Sequence, residues 1–254
     1  MKRIPRPRLI ISAGMLGCLV IATSALSAGL QVAPVSLTID GLAETLWLSN
    51  TVSTPMNAQV RVYRWTQKRQ KDQEDSTTAV LASPPIVHIA PLGKQAIRVV
   101  RATNTTASTP CEEAYRLRID EILDPLADDA VKMGIRYRLS YSVPIFVVRP
   151  ECIKQEPVLA WSLDRAGSVV RLIVRNSGLR HARLSALSVM DSNGGKTEMN
   201  PGLVGYVLPG STMAFPLGEG GKGKAAIAVA ATKIEVSVNG SQVVTALPLA
   251  SPGQ

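Results

Sequence analysis

An all-β protein built as two antiparallel sandwiches is what this chain predicts, and three observations carry the prediction. Short runs with a period of two recur from end to end. Glycine, proline and asparagine turns separate them. Their spacing, many short strands in succession, indicates antiparallel sandwiches of the immunoglobulin type. In chain order the predicted strands include Ala58–Trp65, Ala96–Arg101, Val169–Val174, Leu184–Val189, Ile227–Ala231 and Ile234–Val238. The turn signals between the later runs are Asn193-Gly194-Gly195, Pro201-Gly202, Pro209-Gly210 and Asn239-Gly240.

The chain opens on a basic stretch, Met1 to Arg8. An apolar run from Leu9 to about Leu26 comes next, ending in the small residues Ser24, Ala25, Ser27 and Ala28. This is the order of a secretory signal, cleaved near residue 28; a single transmembrane anchor is the alternative, against which Ser12, Gly14, Gly17, Thr23 and Ser24 interrupt the run. Cys18 after Met15-Leu16-Gly17 is a weak lipoprotein box, because the apolar run continues past it. Removing residues 1–28 takes away Lys2, Arg3, Arg6 and Arg8, so the formal charge of +9 falls to +5. That scattered excess has no basic stripe with interleaved aromatics, which excludes a nucleic-acid signature. The roughly 226 remaining residues fit two small domains. The boundary is expected where Pro150, Glu151, Lys154, Glu156 and Pro157 cluster, giving domains 29–150 and 151–254. Cys111 and Cys152 lie 41 residues apart, and two cysteines in an exported protein predict a disulfide.

Between strands, Lys68 to Thr78 is polar with mixed charge and predicts a solvated hairpin loop; Leu123 to Lys132, with Asp124, Pro125, Asp128 and Asp129, predicts a mobile one. The stretch from Ile135 to Pro150 then says the most. Ile135, Tyr137, Leu139, Tyr141 and Val143 occupy alternate positions, with Arg136, Arg138, Ser140 and Ser142 between them. A period of two marks a strand with one apolar and one polar face. Two readings fit the apolar row: it fills the protein's own core, or it completes a neighbour's core by edge pairing.

Enzyme chemistry finds little support. Gly218 to Lys224 fits G-x-x-x-x-G-K, but Ala225 stands where a phosphate loop needs a hydroxyl for Mg²⁺. His88 in a strand-like run and His181 in a turn accompany no nucleophile motif. Asp120, Glu121 and Asp124 lack calcium-loop spacing; two cysteines alone do not make the four ligands of a zinc site, and only His88 and His181 could help. No cofactor or metal is therefore expected. Asn104-Thr105-Thr106 and Asn239-Gly240-Ser241 match glycosylation acceptors.

The order and spacing of several segments resemble the periplasmic pilus chaperones of the PapD-like superfamily, and within it the archaic Csu-type branch of the chaperone–usher pathway. The segments are Val32 to Leu37, Leu46 to Thr51, Ala58 to Gln67, Ser83 to Ile86, Ala90 to Gly93 leading to Ile97–Arg101, Tyr115 to Glu121, the 135–150 strand and Leu208 to Thr212. The resemblance implies two immunoglobulin-like domains in an L-shaped arrangement, without enzymatic activity. Ile135, Tyr137, Leu139, Tyr141 and Val143 would be lent to a pilus subunit that lacks its own final strand, and an outer-membrane usher would receive it without ATP. It also implies a disulfide between Cys111 and Cys152, and places Glu112 and Arg149 in an interdomain ion-pair network. The family's carboxylate clamp does not carry over: Ser36 stands where an arginine is expected, and Ile145 or Pro144 where a lysine is. Arg98, Arg101 and Arg138 are the available substitutes, of which Arg101 and Arg138 are the chosen candidates. A secreted two-domain adhesive or binding module is the competing reading. Neither gives the mature chain stable membrane insertion.

Overall fold

Alternating apolar and polar residues commit most of the chain to strands. The computed structural model describes residues 29–102, 110–122, 138–165, 169–217 and 224–248, without the side chains of 224–226. Strands β1 (Leu30–Ala33), β3 (Ala43–Asn50), β8 (Lys94–Arg101) and β6 (Val80–Ser83) form one sheet in the order β1-β3-β8-β6. Facing it are β2 (Leu37–Ile39), β10 (Ser140–Val148), β9 (Glu112–Ile122), β4 (Met56–Lys68) and β5 (Lys71–Ser76), in that order, with β7 (Ile86–Ile89) also on β4. The core between them is built from alternate residues of each strand, among them Leu46, Leu48, Ile97, Val99, Tyr115, Leu117, Ile119, Ile145 and Val147. Each such large side chain contributes about 1.5–3 kcal/mol on burial.

The second sandwich pairs β11 (Leu159–Asp164), β12 (Arg171–Asn176) and β15 (Thr212–Pro216) against β14 (Lys196–Val207), β13 (Ala182–Met190), β16 (Lys233–Val238) and β17 (Ser241–Ala246). A short 3₁₀ turn, Pro150–Cys152, joins the two sandwiches. Cys111 and Cys152 are disulfide-bonded, tying the start of β9 to this turn.

Two sequence expectations change. The polar stretch 68–78 is mostly a strand: β5 pairs in register with Tyr63–Lys68 across a two-residue turn of Arg69 and Gln70, both at positive φ. An edge strand needs no apolar face, and its charges keep that edge from pairing further. Ile227–Ala231 falls largely in the helix α1 (Lys224–Ala230) rather than in a strand. The alanine-rich sequence favours helix, and Ala228 and Ala231 are buried against the second core. The predicted mobile loop, Ile135, Tyr137, Asp124, Asn104 and the 218–223 part of the glycine-rich segment lie outside the described residues.

Candidate functional site

The last strand of the first sandwich reads differently along its length. From Val143 to Val148 every side chain is buried, and the sequence there is apolar at each position. Both faces are covered. Val143, Ile145 and Val147 enter the first core. Phe146 and Val148 enter a second cluster with Trp65, Ala114, Cys152, Tyr206 and Leu208, which bridges the two sandwiches. From Arg138 to Ser142 the burial lapses: Leu139 and Tyr141 pack only partly on the first core, and Arg138, Ser140 and Ser142 are exposed.

Strand pairing explains the lapse. β9 lies along all of β10 on one side. On the other side, among the described residues, β2 pairs in parallel only at Ile145–Val147, opposite Leu37–Ile39. Glu121 N donates to Leu139 O and Arg149 N to Cys111 O, so the odd residues of β10 carry the bonds to β9. The backbone groups of Ser140, Ser142 and Pro144 then point to the unpaired side. This border has no charged residue of its own, and the half-covered Leu139 and Tyr141 stand beside it. The Tyr141 hydroxyl donates to Leu30 O, steadying the strand from the facing sheet. Ser140 Oγ donates to Asp120 Oδ1 at 2.6 Å, and Arg61 donates to Oδ2 at 2.6 Å. The Ser140 hydrogen bond, then Arg61, holds the Asp120 carboxyl below its ordinary range.

The buried end of β10 is fixed against the second sandwich by contacts of which the sequence predicts only that of Glu112. Phe146 stacks on the His181 ring at 3.5 Å with 5° between planes. Glu112 has a fully buried side chain; its Oε2 accepts from Arg180 Nε at 2.7 Å and His181 Nδ1 at 2.9 Å, and its Oε1 from His181 N at 2.8 Å. Gln67 imitates a strand partner: its Nε2 donates to Tyr206 O at 3.0 Å and its Oε1 accepts from Leu208 N at 2.8 Å. Arg116 covers the Trp65 ring at 3.6 Å, and burial lowers its pKa. Burial pushes the Tyr115 hydroxyl up to about 12.

Of the residues the sequence proposed, the expected network member Glu112 is thus an interdomain carboxylate with Arg180 and His181 as partners. Arg149 lies by the disulfide, its Nη2 3.6 Å from each sulfur and its Nε 3.4 Å from Glu151. His181, expected to be an ordinary turn residue, is an interface residue instead. His88 is exposed and bonds Asn57. Asn239 caps backbone rather than standing free: its amide bonds Arg183 N and His181 O. Arg101 and Arg138 do not form one clamp. Arg138 precedes β10, on the Leu30–Tyr141 end of the sandwich, whereas Arg101 lies past Val100, which pairs Ala43 at the Val148 end. The eight steps of β10 alone separate these ends by about 26 Å. Arg101 Nε and Nη1 are buried with no hydrogen-bond partner among the described residues.

A cleft of about 320 Å³ lies between the two sandwiches at the β2-covered end of β10, lined by Ser36, Thr38, Phe146, Arg183 and Asn239 among others. An adjoining groove of about 490 Å³ shares Arg183 and Tyr206 and reaches Ser142 and Pro144 of the open edge. Among the described residues no group of three or more His, Cys, Asp or Glu side chains is placed to hold a metal, and no helix is long and apolar enough to cross a membrane.

Residues 29–154 match the family of pili and flagellar-assembly chaperones, PapD N-terminal domain. No curated protein matches the chain. Among solved structures the chain resembles a chain of the CsuC–CsuE chaperone–tip adhesion subunit pre-assembly complex, from the archaic chaperone–usher Csu pili of Acinetobacter baumannii. That match has 25% identity and a TM-score of 0.63, covering 88% of this chain and 100% of that one. The Salmonella enterica complex of the SafA pilin with the SafB chaperone matches at 17% identity and TM-score 0.58, covering 89% and 99%. The E. coli chaperone DraB matches at 21% and 0.55, covering 86% and 98%. The fold is therefore the two-domain β fold of these chaperones, and the chain belongs to the PapD-like family of pilus chaperones.

Proposed function

We propose that this chain is a periplasmic chaperone that captures a pilus subunit on the open edge of β10, with residues 29–150 and 151–254 as its two domains, and delivers it to an outer-membrane usher. The observation that supports the reading best is the contrast along one strand. β10 is sealed on both faces from Val143 onward, yet Ser140–Pro144 keeps an unpaired border beside two half-covered apolar side chains. An edge left so is an aggregation liability unless another chain uses it. A subunit lacking a strand has the complementary need: backbone to pair and a groove to fill. Ile135 and Tyr137 would continue the row outside the described residues. We assign the subunit's terminal carboxylate to Arg101 rather than Arg138. Leaving a buried donor unmade costs about 1–3 kcal/mol, which a carboxylate on Arg101 would recover in charge-assisted hydrogen bonds.

Replacement of Leu139 by Arg is expected to abolish co-purification of a co-expressed pilin-type subunit while the chaperone remains folded by circular dichroism. Because Leu139 also touches the first core, Ser142→Pro is the companion variant: it removes an N–H from the open side and leaves the β9 bonds intact. Undiminished capture by both variants overturns the reading.

A further inference from the structure

The second sandwich has a seam of its own, and nothing of this chain among the described residues fills it. In the first sandwich the corresponding seam is closed where β2 leaves the line of β1 and pairs with the last strand, β10. In the second, among the described residues, β11 stays in its sheet and pairs only with β12, while the last strand, β17, pairs only with β16. The gap is a groove of about 520 Å³ lined by Leu159, Trp161, Val238, Val243 and Val244 with polar groups at its rim. Trp161 and Leu159 are only partly covered, although both face the second core. Two other outer strands, β5 and β14, are guarded against pairing. β5 is charged at four of six positions (Lys71, Asp72, Glu74, Asp75), and β14 carries Pro201 and three register shifts. β17, Ser-Gln-Val-Val-Thr-Ala, has no charge, no proline and strong strand formers.

Shared lining residues place the groove next to the cleft and the cleft next to the open edge: Asn239 lines both groove and cleft, and the cleft shares Arg183 and Tyr206 with the hollow that reaches Ser142 and Pro144. A polypeptide paired with Ser140–Pro144 would meet β2 at Ile145, where the cleft lined by Thr38 and Phe146 begins. We propose that an extended segment of the bound subunit, with apolar side chains at alternate positions, adds to β17 and closes the second seam as β2 closes the first. The proposal rests on the chaperone reading above. Its chemistry is that of the Leu37-Thr38-Ile39 strand which does the same work in the first sandwich: two apolar side chains enter the seam, and the backbone bonds the edge.

The hairpin turn of Asn239 and Gly240, at φ 50° and 91°, makes Val238 and Ser241 a bonded pair, so the backbone of Gln242, Val244 and Ala246 faces the open side. Hydrogen exchange on the complete chaperone, free and in complex with a co-expressed pilin-type subunit, tests the assignment. In the complex, exchange at Gln242 and Val244 is expected to slow by about tenfold or more, alongside slowing at Ser140 and Ser142. In Val244→Pro, which cannot donate to an added strand, the complex still forms on β10 but the protection of Gln242 is lost. Unchanged β17 exchange in a complex that protects β10 overturns this inference and leaves the chaperone reading standing. So does protection that survives Val244→Pro, or that appears in the free chaperone and grows with its concentration, which would make a second copy the occupant. Absence of any complex removes both.

Discussion

Two corners of the molecule, one in each sandwich, are built alike and used differently. Asn50 ends β3 with its amide buried: Nδ2 donates to Thr54 O, Ile89 O and Ala90 O, and Oδ1 accepts from Val52 N. Asn176 ends β12 in the same way, donating to Arg180 O and Val207 O and accepting from Val158 N and Gly178 N. Even the facing turns agree, since Asn50 N donates to Gly93 O and Asn176 N to Ser211 O. The difference lies in the turns that the two asparagines open. The turn after Asn50 closes on its own domain. The turn after Asn176 carries Arg180 and His181 to Glu112 in the other domain. A shared architectural part thus closes on its own sandwich in one case and joins the two sandwiches in the other.

Removing Glu112 probes this difference with the largest effect. Glu112→Ala leaves Arg180 and the His181 amide without their buried acceptor. Breaking a buried pair on one side costs about 3–5 kcal/mol. The expected outcome in a urea titration is two separated transitions where the wild type shows coupled unfolding. Retention of a single unshifted transition would place the coupling elsewhere, in the disulfide or the Gln67 contacts.

The corner asparagines come next. Asn50→Ala and Asn176→Ala each strand several buried backbone groups, a loss of about 2–4 kcal/mol in the domain that holds them. If the corners differ only in the reach of their turns, both variants lose similar local stability, and only Asn176→Ala also increases exchange at Tyr206 and Leu208, across the interface. Equal disturbance of the interface by Asn50→Ala breaks the comparison.

How much of this is legible in the sequence depends on what each residue pattern encodes. Period-two runs bounded by turn residues announce the sandwiches, since alternation maps directly onto a sheet face. The half-covered Leu139 and Tyr141 are legible as members of an apolar row, but the row alone does not say which members the molecule keeps. Val143 belongs to its own core, and the open border is a matter of where β2 stops pairing. The unbroken apolar run Val143–Val148 is the available sign that one strand is covered on two faces. Arg180 and His181 carry no such sign: their role depends on a turn 68 and 69 residues away from Glu112 in sequence. The β5 edge reads as a loop because its charges conceal the pairing. The short α1 segment reads as a strand because its mix of alanine, isoleucine and valine fits either period.

The smallest effect concerns the two open edges themselves, each of which is pinned to its neighbour by a side-chain bond to a carboxylate. Ser140 of β10 donates to Asp120 of β9, and Gln242 of β17 donates to Glu235 of β16 at 2.7 Å. Both carboxyls are held below their ordinary range, Asp120 first by Ser140 and Glu235 first by Lys196. A folded-state pKa below the unfolded value, about 3.9 for aspartate, means that the stabilisation is present above that value and is lost as pH falls through the lower folded one. At neutral pH the Asp120 pairing therefore contributes in full; being partly exposed, it is worth less than about 1 kcal/mol. In Ser140→Ala the Asp120 carboxyl is expected to titrate at higher pH, followed by its carboxyl carbon shift in NMR, and the amide of Tyr141 to exchange faster. Gln242→Ala should move Glu235 less, because Lys196 remains its main partner. An equal shift in both variants would mean that the edges are pinned alike, and that the looser hold on β10 comes from its unpaired length alone.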